Sequence, residues 1–159
     1  MFWFLSASLF SEPFKLLTMN ARSFANCLTY NLLCDLIEPS NCDVCFVQET
    51  LISSESTIKS LSRRWSGRSF WSLASGRQGG VVTLISSRCS HEMVSWKKNS
   101  DGGIVSLLVR SNDVHVNLVN IYAPTDLAER KIFFDSLLNF LSRLLRSSSE
   151  EILIAMIMP

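Results

Sequence analysis

Three polar side chains follow apolar runs directly, at positions where they could act together on a phosphate group. Carboxylate and amide oxygens are the ligands that Mg²⁺ prefers, and a phenol can donate a hydrogen bond to developing negative charge. Taken singly, each residue is equally typical of a surface carboxylate, a turn asparagine or a strand aromatic. The three are Asn20 after residues 14–19, Glu49 after 43–48 and Tyr122 after 114–121.

The five cysteines and two histidines form no recognisable metal or nucleophile pattern. Cys42 and Cys45 make a CxxC pair, but a zinc site needs a second pair of ligands, and His91 and His115 lie in separate regions. Cys45 also sits in an apolar run, which favours a small buried side chain. An odd number of cysteines without framework spacing indicates a reducing, intracellular compartment. The sequence has neither a GxSxG motif nor a Walker loop, so acyl transfer and nucleotide hydrolysis have no support.

Composition and charge describe one globular domain without a membrane segment. Hydrophobic residues make up 47% of the chain, and 15 basic residues against 14 acidic ones leave a net charge of +1. Any contact with nucleic acid must therefore be local, and the basic pair Lys97 and Lys98 is also typical of a solvated face. Residues 1–13 open with an apolar stretch that is too short to span a membrane, so they are interpreted as a leader or an edge segment.

The first half of the chain predicts alternating strands and helices. Short buried strands are expected over residues 14–19 and 43–48, and Pro39 should end the intervening helix near Glu38. A second helix is expected to begin at residues 53–55. The first helix is expected to face the core with the apolar residues that recur at helical spacing, which are Phe24, Cys27, Leu28, Leu32 and Leu36.

The second half is rich in strand patterns and carries one long helix. Strands are predicted over residues 69–74, 80–86, 104–110 and 114–121, followed by a helix capped by Asp126 and a final strand over 152–157. The apolar face expected for this helix comprises Phe134, Leu137, Leu138, Leu141 and Leu145. This order of elements predicts an α/β fold, built as a sandwich with mixed sheets.

Four local patterns occur in the order found in one family. They are residues 17–22 (LTMNAR), 43–50 (DVCFVQET), 76–84 (GRQGGVVTL) and 120–125 (NIYAPT). Together they resemble the endonuclease/exonuclease/phosphatase superfamily. Their residues are most similar to those of the apurinic-type endonucleases of LINE retrotransposons. The resemblance extends over residues 14–154 and implies a four-layer α/β sandwich.

The resemblance also implies roles for the three polar residues. Glu49 would coordinate Mg²⁺, Asn20 would help to organise metal and phosphate, and Tyr122 would lie near the scissile phosphate. Thr125 stands where many relatives have Asn, and we interpret it as the start of a helix. The implied activity is Mg²⁺-dependent hydrolysis of DNA phosphodiester bonds in the nucleus. In a retrotransposon this activity would be associated with a reverse transcriptase. A phosphatase of the same superfamily is a further alternative.

The last strand departs from the family pattern. In members of the family this strand is similar to Ile-Leu-Ile-Gly-Gly-Asp-Phe-Asn, whereas residues 152–159 are ILIAMIMP. The Asp and the Asn are absent, as is the later Ser-Asp-His sequence that would activate water. We therefore expect residues 1–13 to be a leader of uncertain status and residues 14–159 to be a truncated domain with negligible cleavage. The alternative is a non-catalytic remnant that binds nucleic acid or protein.

Overall fold

A computed structural model describes residues 2–7, 14–24, 26–75, 78–111, 114–144 and 150–157. Nine strands and three α-helices are assigned in these ranges. In chain order they are β1 (Phe2–Ala7), β2 (Phe14–Asn20), α1 (Cys27–Ile37), β3 (Val44–Gln48), α2 (Glu55–Ser62), β4 (Arg68–Ser72), β5 (Val81–Ile85), β6 (Glu92–Lys98), β7 (Ile104–Ser111), β8 (Val114–Tyr122), α3 (Leu127–Leu144) and β9 (Glu150–Ile157).

The strands form two mixed sheets. The first has the order β1-β2-β3-β5-β4, and the second has the order β6-β7-β8-β9. Each contains one parallel pair, β2 with β3 and β8 with β9, while the other pairs are antiparallel. The segment interpreted from sequence as a leader or an edge segment contributes β1, the edge strand beside β2.

The inner faces of the two sheets pack against each other. Alternating residues along the strands point inward, because successive side chains of a strand lie on opposite faces. The resulting core is apolar over most of its length and is built from buried residues of both sheets, including Leu16, Phe46, Val81, Leu107 and Leu118. This sheet-on-sheet core fixes the position of every strand end that the site uses.

Helices cover the outer faces. α1 and α2 pack on the first sheet around Tyr30, Leu33 and Leu61, and α3 packs on the second sheet around Phe133 and Leu137. The layers are therefore helix, sheet, sheet and helix. The predicted α/β class and sandwich architecture are confirmed.

The face of α1 that lies against the sheet differs from the prediction. Leu28, Leu32 and Leu36 are 62%, 69% and 49% exposed, while the buried residues are Tyr30, Leu33, Cys34 and Ile37. Both stripes recur at spacings of three and four residues and both are apolar, so periodicity alone could not separate them. The predicted end of the helix is correct, since α1 stops at Ile37 and a 3₁₀ turn containing Pro39 follows.

Strand β6 was not predicted. Six of its seven residues are exposed and the seventh, Met93, is half-buried. The segment carries Lys97 and Lys98 and shows no regular alternation of apolar and polar residues. It is the edge strand of the second sheet and is paired only with β7 in the described part of the chain.

The long helix α3 matches its predicted start but not the whole of its predicted face. Asp126 caps it by accepting hydrogen bonds from the amides of Ala128 and Glu129 at 2.9 and 3.0 Å. Leu137 is buried as expected, whereas Leu138 is 66% exposed and Phe133 takes its place in the core. Leu145 lies outside the described residues.

Within the described ranges, no helix combines the length and the apolar character needed to cross a membrane.

Candidate functional site

The ends of β2, β3 and β8 carry the three residues that the sequence singles out. Asn20 is the last residue of β2 and lies in register with Gln48, the last residue of the parallel strand β3. Glu49 follows Gln48 directly, and Tyr122 is the last residue of β8 in the facing sheet. Register neighbours in adjacent strands share a face, so Asn20 and Gln48 lie on the same face of the first sheet.

Loops at this edge are joined by a chain of backbone hydrogen bonds. The amide of Ala21 donates to the carbonyl of Gln48 at 2.9 Å, and the amide of Thr50 donates to the carbonyl of Gly80 at 2.9 Å. The amide of Gly80 in turn donates to the carbonyl of Gly102 at 2.9 Å. Four connections from both sheets are therefore held together, which gives the residues within them fixed positions.

Glu49 occupies an unusual backbone conformation. Its φ of 58° lies in the left-handed region, which is uncommon for residues other than glycine, and Leu51 has a φ of 56°. Between them, Thr50 is fully buried and anchors the turn. The side chain of Glu49 is partly exposed, and it makes neither a hydrogen bond nor an ion pair with any other described residue. The turn thus presents a carboxylate with open oxygens at the strand end.

Tyr122 is linked to the turn of Glu49 although the two follow strands of different sheets: the amide of Tyr122 donates to the carbonyl of Gly103 at 2.9 Å, next to the chain of bonds from Gly102 through Gly80 to Thr50. Tyr122 is only 4% exposed. Burial, and second the neighbouring Glu49 carboxylate, raise the pKa of the Tyr122 phenol above its ordinary value. The phenol therefore stays protonated at neutral pH and can act as a hydrogen-bond donor.

Asn20 lies at the same edge, with part of its hydrogen-bonding capacity used locally. Its Oδ1 accepts a hydrogen bond from the amide of Arg22 at 2.8 Å, the pattern of an asparagine turn. Arg22 itself has a left-handed φ of 55°. An amide oxygen has a second lone pair, so the turn does not prevent Asn20 from contacting a ligand.

A buried polar network below the site was not predicted. Gln48 Nε2 donates to Asn120 Oδ1 at 2.7 Å and to Thr18 Oγ1 at 3.1 Å, and Asn120 Nδ2 donates to the carbonyl of Val82 at 2.9 Å. Gln48 and Asn120 are fully buried. The signal available in the sequence was an amide residue at the end of the apolar run of β3 and another within the mainly apolar residues 118–122 of β8.

A cleft of about 320 Å³ opens beside Tyr122. Its lining includes the apolar residues Pro124 and Phe133 and the acidic residues Asp101 and Glu129. The hydroxyl of Thr125 donates to Gln78 Oε1 at 3.2 Å next to the cleft.

The described residues contain no group of three or more His, Cys, Asp and Glu side chains arranged to hold a metal ion. Glu49 directly follows Gln48, the register partner of Asn20, so its carboxylate is the acidic group at the ends of β2 and β3. The five cysteines are free thiols that form no disulfide bond.

Solved structures of low sequence identity share this architecture. The AP endonuclease LMAP from Leishmania major superposes with a TM-score of 0.68 at 16% identity, over 90% of this chain and 54% of its own length. The endonuclease domain of TRAS1, a telomere-specific non-LTR retrotransposon, gives a TM-score of 0.63 at 16% identity, over 91% of this chain and 60% of that domain. The fold is that of the endonuclease/exonuclease/phosphatase superfamily. The resemblance inferred from the four sequence patterns is confirmed at this level.

A curated sequence relative is also a transposon protein. The "Transposon TX1 uncharacterized 149 kDa protein" of Xenopus laevis is 32% identical over 120 residues, which is 76% of this chain and 9% of the relative. No family model matches the chain. The chain therefore spans under a tenth of that relative and a little over half of the superposed endonucleases.

The register of β9 places a residue from the part of the sequence that departs from the family pattern next to Tyr122. This strand runs parallel to β8, and Ile157 is the register partner of Tyr122. Ile157 is also the position at which the family sequence pattern has Asp. An aliphatic residue type thus stands next to Tyr122 in the neighbouring strand.

Proposed function

We propose that this chain carries the Mg²⁺-binding part of a DNA endonuclease domain of retrotransposon origin. The observation that carries the proposal is the backbone hydrogen-bond chain that joins the turn of Glu49 to the end of β8: Thr50 is bonded to Gly80, Gly80 to Gly102, and the amide of Tyr122 to the carbonyl of Gly103. This chain brings a carboxylate and a buried phenol to one edge of the two sheets. The similarity to a retrotransposon endonuclease domain, an AP endonuclease and a transposon protein supports DNA as the partner. Action on DNA of the host genome implies a nuclear location.

The residues present fit Mg²⁺ rather than a softer metal. Glu49 offers carboxylate oxygens without a competing partner among the described residues, and Asn20 offers an amide oxygen at the end of the neighbouring strand. Mg²⁺ is commonly held by one or two carboxylates together with water and substrate phosphate, and it has little affinity for thiolates. When bound, the ion would neutralise charge on the phosphate and polarise it.

The protein groups would divide the remaining tasks between them. Tyr122 would donate a hydrogen bond from its phenol to a phosphate oxygen, stabilising charge that develops during hydrolysis. Asn20 would orient the phosphate or its ligands through its amide. The interlocked loops around Thr50 and Gly80 would hold these groups in place before substrate arrives, so little reorganisation is needed on binding.

These 159 residues are proposed to show negligible DNA cleavage by themselves. The family pattern has an Asp at the position of Ile157 and an Asn at that of Pro159, and neither side chain present can accept a proton from water or hold a cation. General acid–base help contributes about 10²- to 10⁴-fold to such a step. This favours a chain that binds metal and DNA but turns over little.

A nicking assay on supercoiled plasmid tests this proposal. The 159-residue chain with Mg²⁺ should nick no faster than its Glu49→Gln variant. A chimera that joins residues 14–154 to the remaining strands of an intact related endonuclease should nick. The same Glu49→Gln change should lower that activity at least about 100-fold, because losing a ligand should cost more than the about 10- to 100-fold lost with a group that only orients a ligand. A chimera that is active and indifferent to Glu49→Gln would refute the assignment of the site.

A further inference from the structure

Two buried amide side chains join the sheets directly below the proposed site. Gln48 ends β3 and Asn120 lies in β8, and the hydrogen bond from Gln48 Nε2 to Asn120 Oδ1 measures 2.7 Å. Both side chains are 0% exposed. Each is also close in sequence to a site residue, since Glu49 follows Gln48 directly and Tyr122 lies two positions after Asn120.

The network has a single possible direction. The carbonyl of Val82 can only accept, so the Asn120 atom at 2.9 Å from it must be the NH₂ group. Asn120 Oδ1 therefore faces Gln48, which must present its own NH₂ group. The second hydrogen of that group is donated to Thr18 Oγ1 at 3.1 Å. A network with one allowed direction holds β2, β3, β5 and β8 at one spacing.

An apolar pair would be the more stable choice at this depth. Two residues earlier in the same strands, the inward positions are occupied by Phe46 and Leu118. Burying an amide costs free energy where one of its atoms has no partner, and Gln48 Oε1 finds no hydrogen-bond partner in the described part of the protein. Apolar packing tolerates sliding of one sheet on the other, whereas a directional bond does not.

We propose that Gln48 and Asn120 are positioning residues that set the separation of Glu49 from Tyr122. This rests on the proposed function, because it assigns the pair a role at the metal and phosphate site. The amide pair acts through the backbone: it fixes where β3 ends and where β8 ends relative to each other. Neither amide touches the phosphate or the metal.

The test compares variants that remove one amide each. Gln48→Met and Asn120→Leu keep approximate volume and remove the cross-sheet hydrogen bond. Asn117→Leu is the matched control, since Asn117 is a buried amide of the same strand, 2% exposed, that faces away from the site toward α3. Mg²⁺ affinity is measured for each by titration of the ¹⁵N-labelled chain.

We expect the Gln48 and Asn120 variants to bind Mg²⁺ about 10-fold more weakly, the scale found when groups that orient a metal ligand are lost. Asn117→Leu should bind as the unaltered chain does. The exchanged pair, Gln48→Asn with Asn120→Gln, should recover part of the affinity. Mg²⁺ affinities of the Gln48 and Asn120 variants that match that of Asn117→Leu would overturn the proposal.

If the unaltered chain does not bind Mg²⁺, that result counts against the proposed function alone. The positioning role of Gln48 and Asn120 can still be tested. The metal-free spectra then provide the test across the sheets. Gln48→Met should shift the amide resonance of Tyr122, and Asn120→Leu should shift that of Glu49, while Asn117→Leu should shift neither. Unmoved resonances would refute the positioning role. If either variant fails to fold, Thr18→Val removes one acceptor of the same network and takes its place in both measurements.

Discussion

The Glu49 carboxylate and the Tyr122 phenol come from different sheets yet interact electrostatically: burial, and second the charge of Glu49, raise the pKa of Tyr122. Replacing Glu49 by Gln removes the negative charge that disfavours the phenolate. The pKa of Tyr122 should therefore fall in Glu49→Gln and remain above the ordinary tyrosine value, because the larger cause, burial, persists.

The ultraviolet absorbance of the phenolate measures this shift during a pH titration. The chain has two tyrosines, and burial raises the pKa of Tyr30 far more, so the first phenolate to appear belongs to Tyr122. Glu55→Gln makes the same charge change on an exposed residue of α2 and serves as the control. An unchanged first titration in Glu49→Gln would show that the two side chains do not meet.

Buried thiols make the folded state sensitive to alkali. Burial raises the pKa of Cys34 to about 11 and that of Cys42 to about 12, from an ordinary value of 9.0. A folded-state pKa that is raised contributes stability that is complete below the unfolded value and is lost as the pH rises toward the folded value.

The free energy of unfolding should accordingly decrease above about pH 9, by up to about 1.4 kcal/mol per pH unit for each such thiol. Urea titrations at a series of alkaline pH values, with a reducing agent present, measure the slope. Cys42→Ala should make the slope shallower by about one thiol. A free energy of unfolding that does not change between about pH 9 and 11 would contradict the burial of these groups.

Two glycines in the interlocked loops offer a matched pair. Gly79 and Gly102 have similar left-handed φ angles of 81° and 77°. A Cβ at Gly102 would lie 1.9 Å from the carbonyl oxygen of Leu73, whereas one at Gly79 would have its nearest neighbour at 3.5 Å. Gly79→Ala should therefore cost about 1–2 kcal/mol for its conformation alone.

Gly102→Ala should cost about 1–3 kcal/mol more than Gly79→Ala, because the loop must also move away from Leu73. Thermal or chemical denaturation of the two variants gives the difference. Equal destabilisation would mean that the contact between the two loops is not formed in solution.

The face of α1 can be verified by two neighbouring leucines. Leu32 is 69% exposed and Leu33 is 4% exposed. Leu32→Gln should change the free energy of unfolding by no more than about 0.5 kcal/mol, and Leu33→Ala should lower it by about 2–5 kcal/mol. A larger loss of stability in Leu32→Gln than in Leu33→Ala would show that α1 packs with the face expected from the sequence.

Residues at strand ends were the part of the site that the sequence could predict. Asn20 and Glu49 each follow a short apolar run directly, and two parallel strands that end together bring such residues to one edge. The pattern is local, so it can be found without knowledge of the fold. The roles of Asn20, Glu49 and Tyr122 stay predictions until they are measured.

Features that depend on partners distant in sequence could not be predicted. The hydrogen bond between Gln48 and Asn120 joins residues 72 positions apart, and nothing near either amide indicates the other. The orientation of α1 depends on which of two apolar stripes fits the sheet, a matter of packing rather than periodicity. Strand β6 owes its conformation to its pairing with β7, since its own side chains show no strand pattern.

Titration of the ¹⁵N-labelled chain with Mg²⁺, in parallel with its Glu49→Gln variant, tests the central claim most directly. We expect saturable shifts centred on the amides of Asn20, Glu49 and Tyr122, and their loss in Glu49→Gln, since the carboxylate is the charged ligand. Glu129→Gln, which removes a carboxylate from the lining of the adjacent cleft, should leave the titration unchanged. Shifts that persist in Glu49→Gln, or that centre on Asp101 and Glu129, would contradict the assignment of the metal site to this strand end.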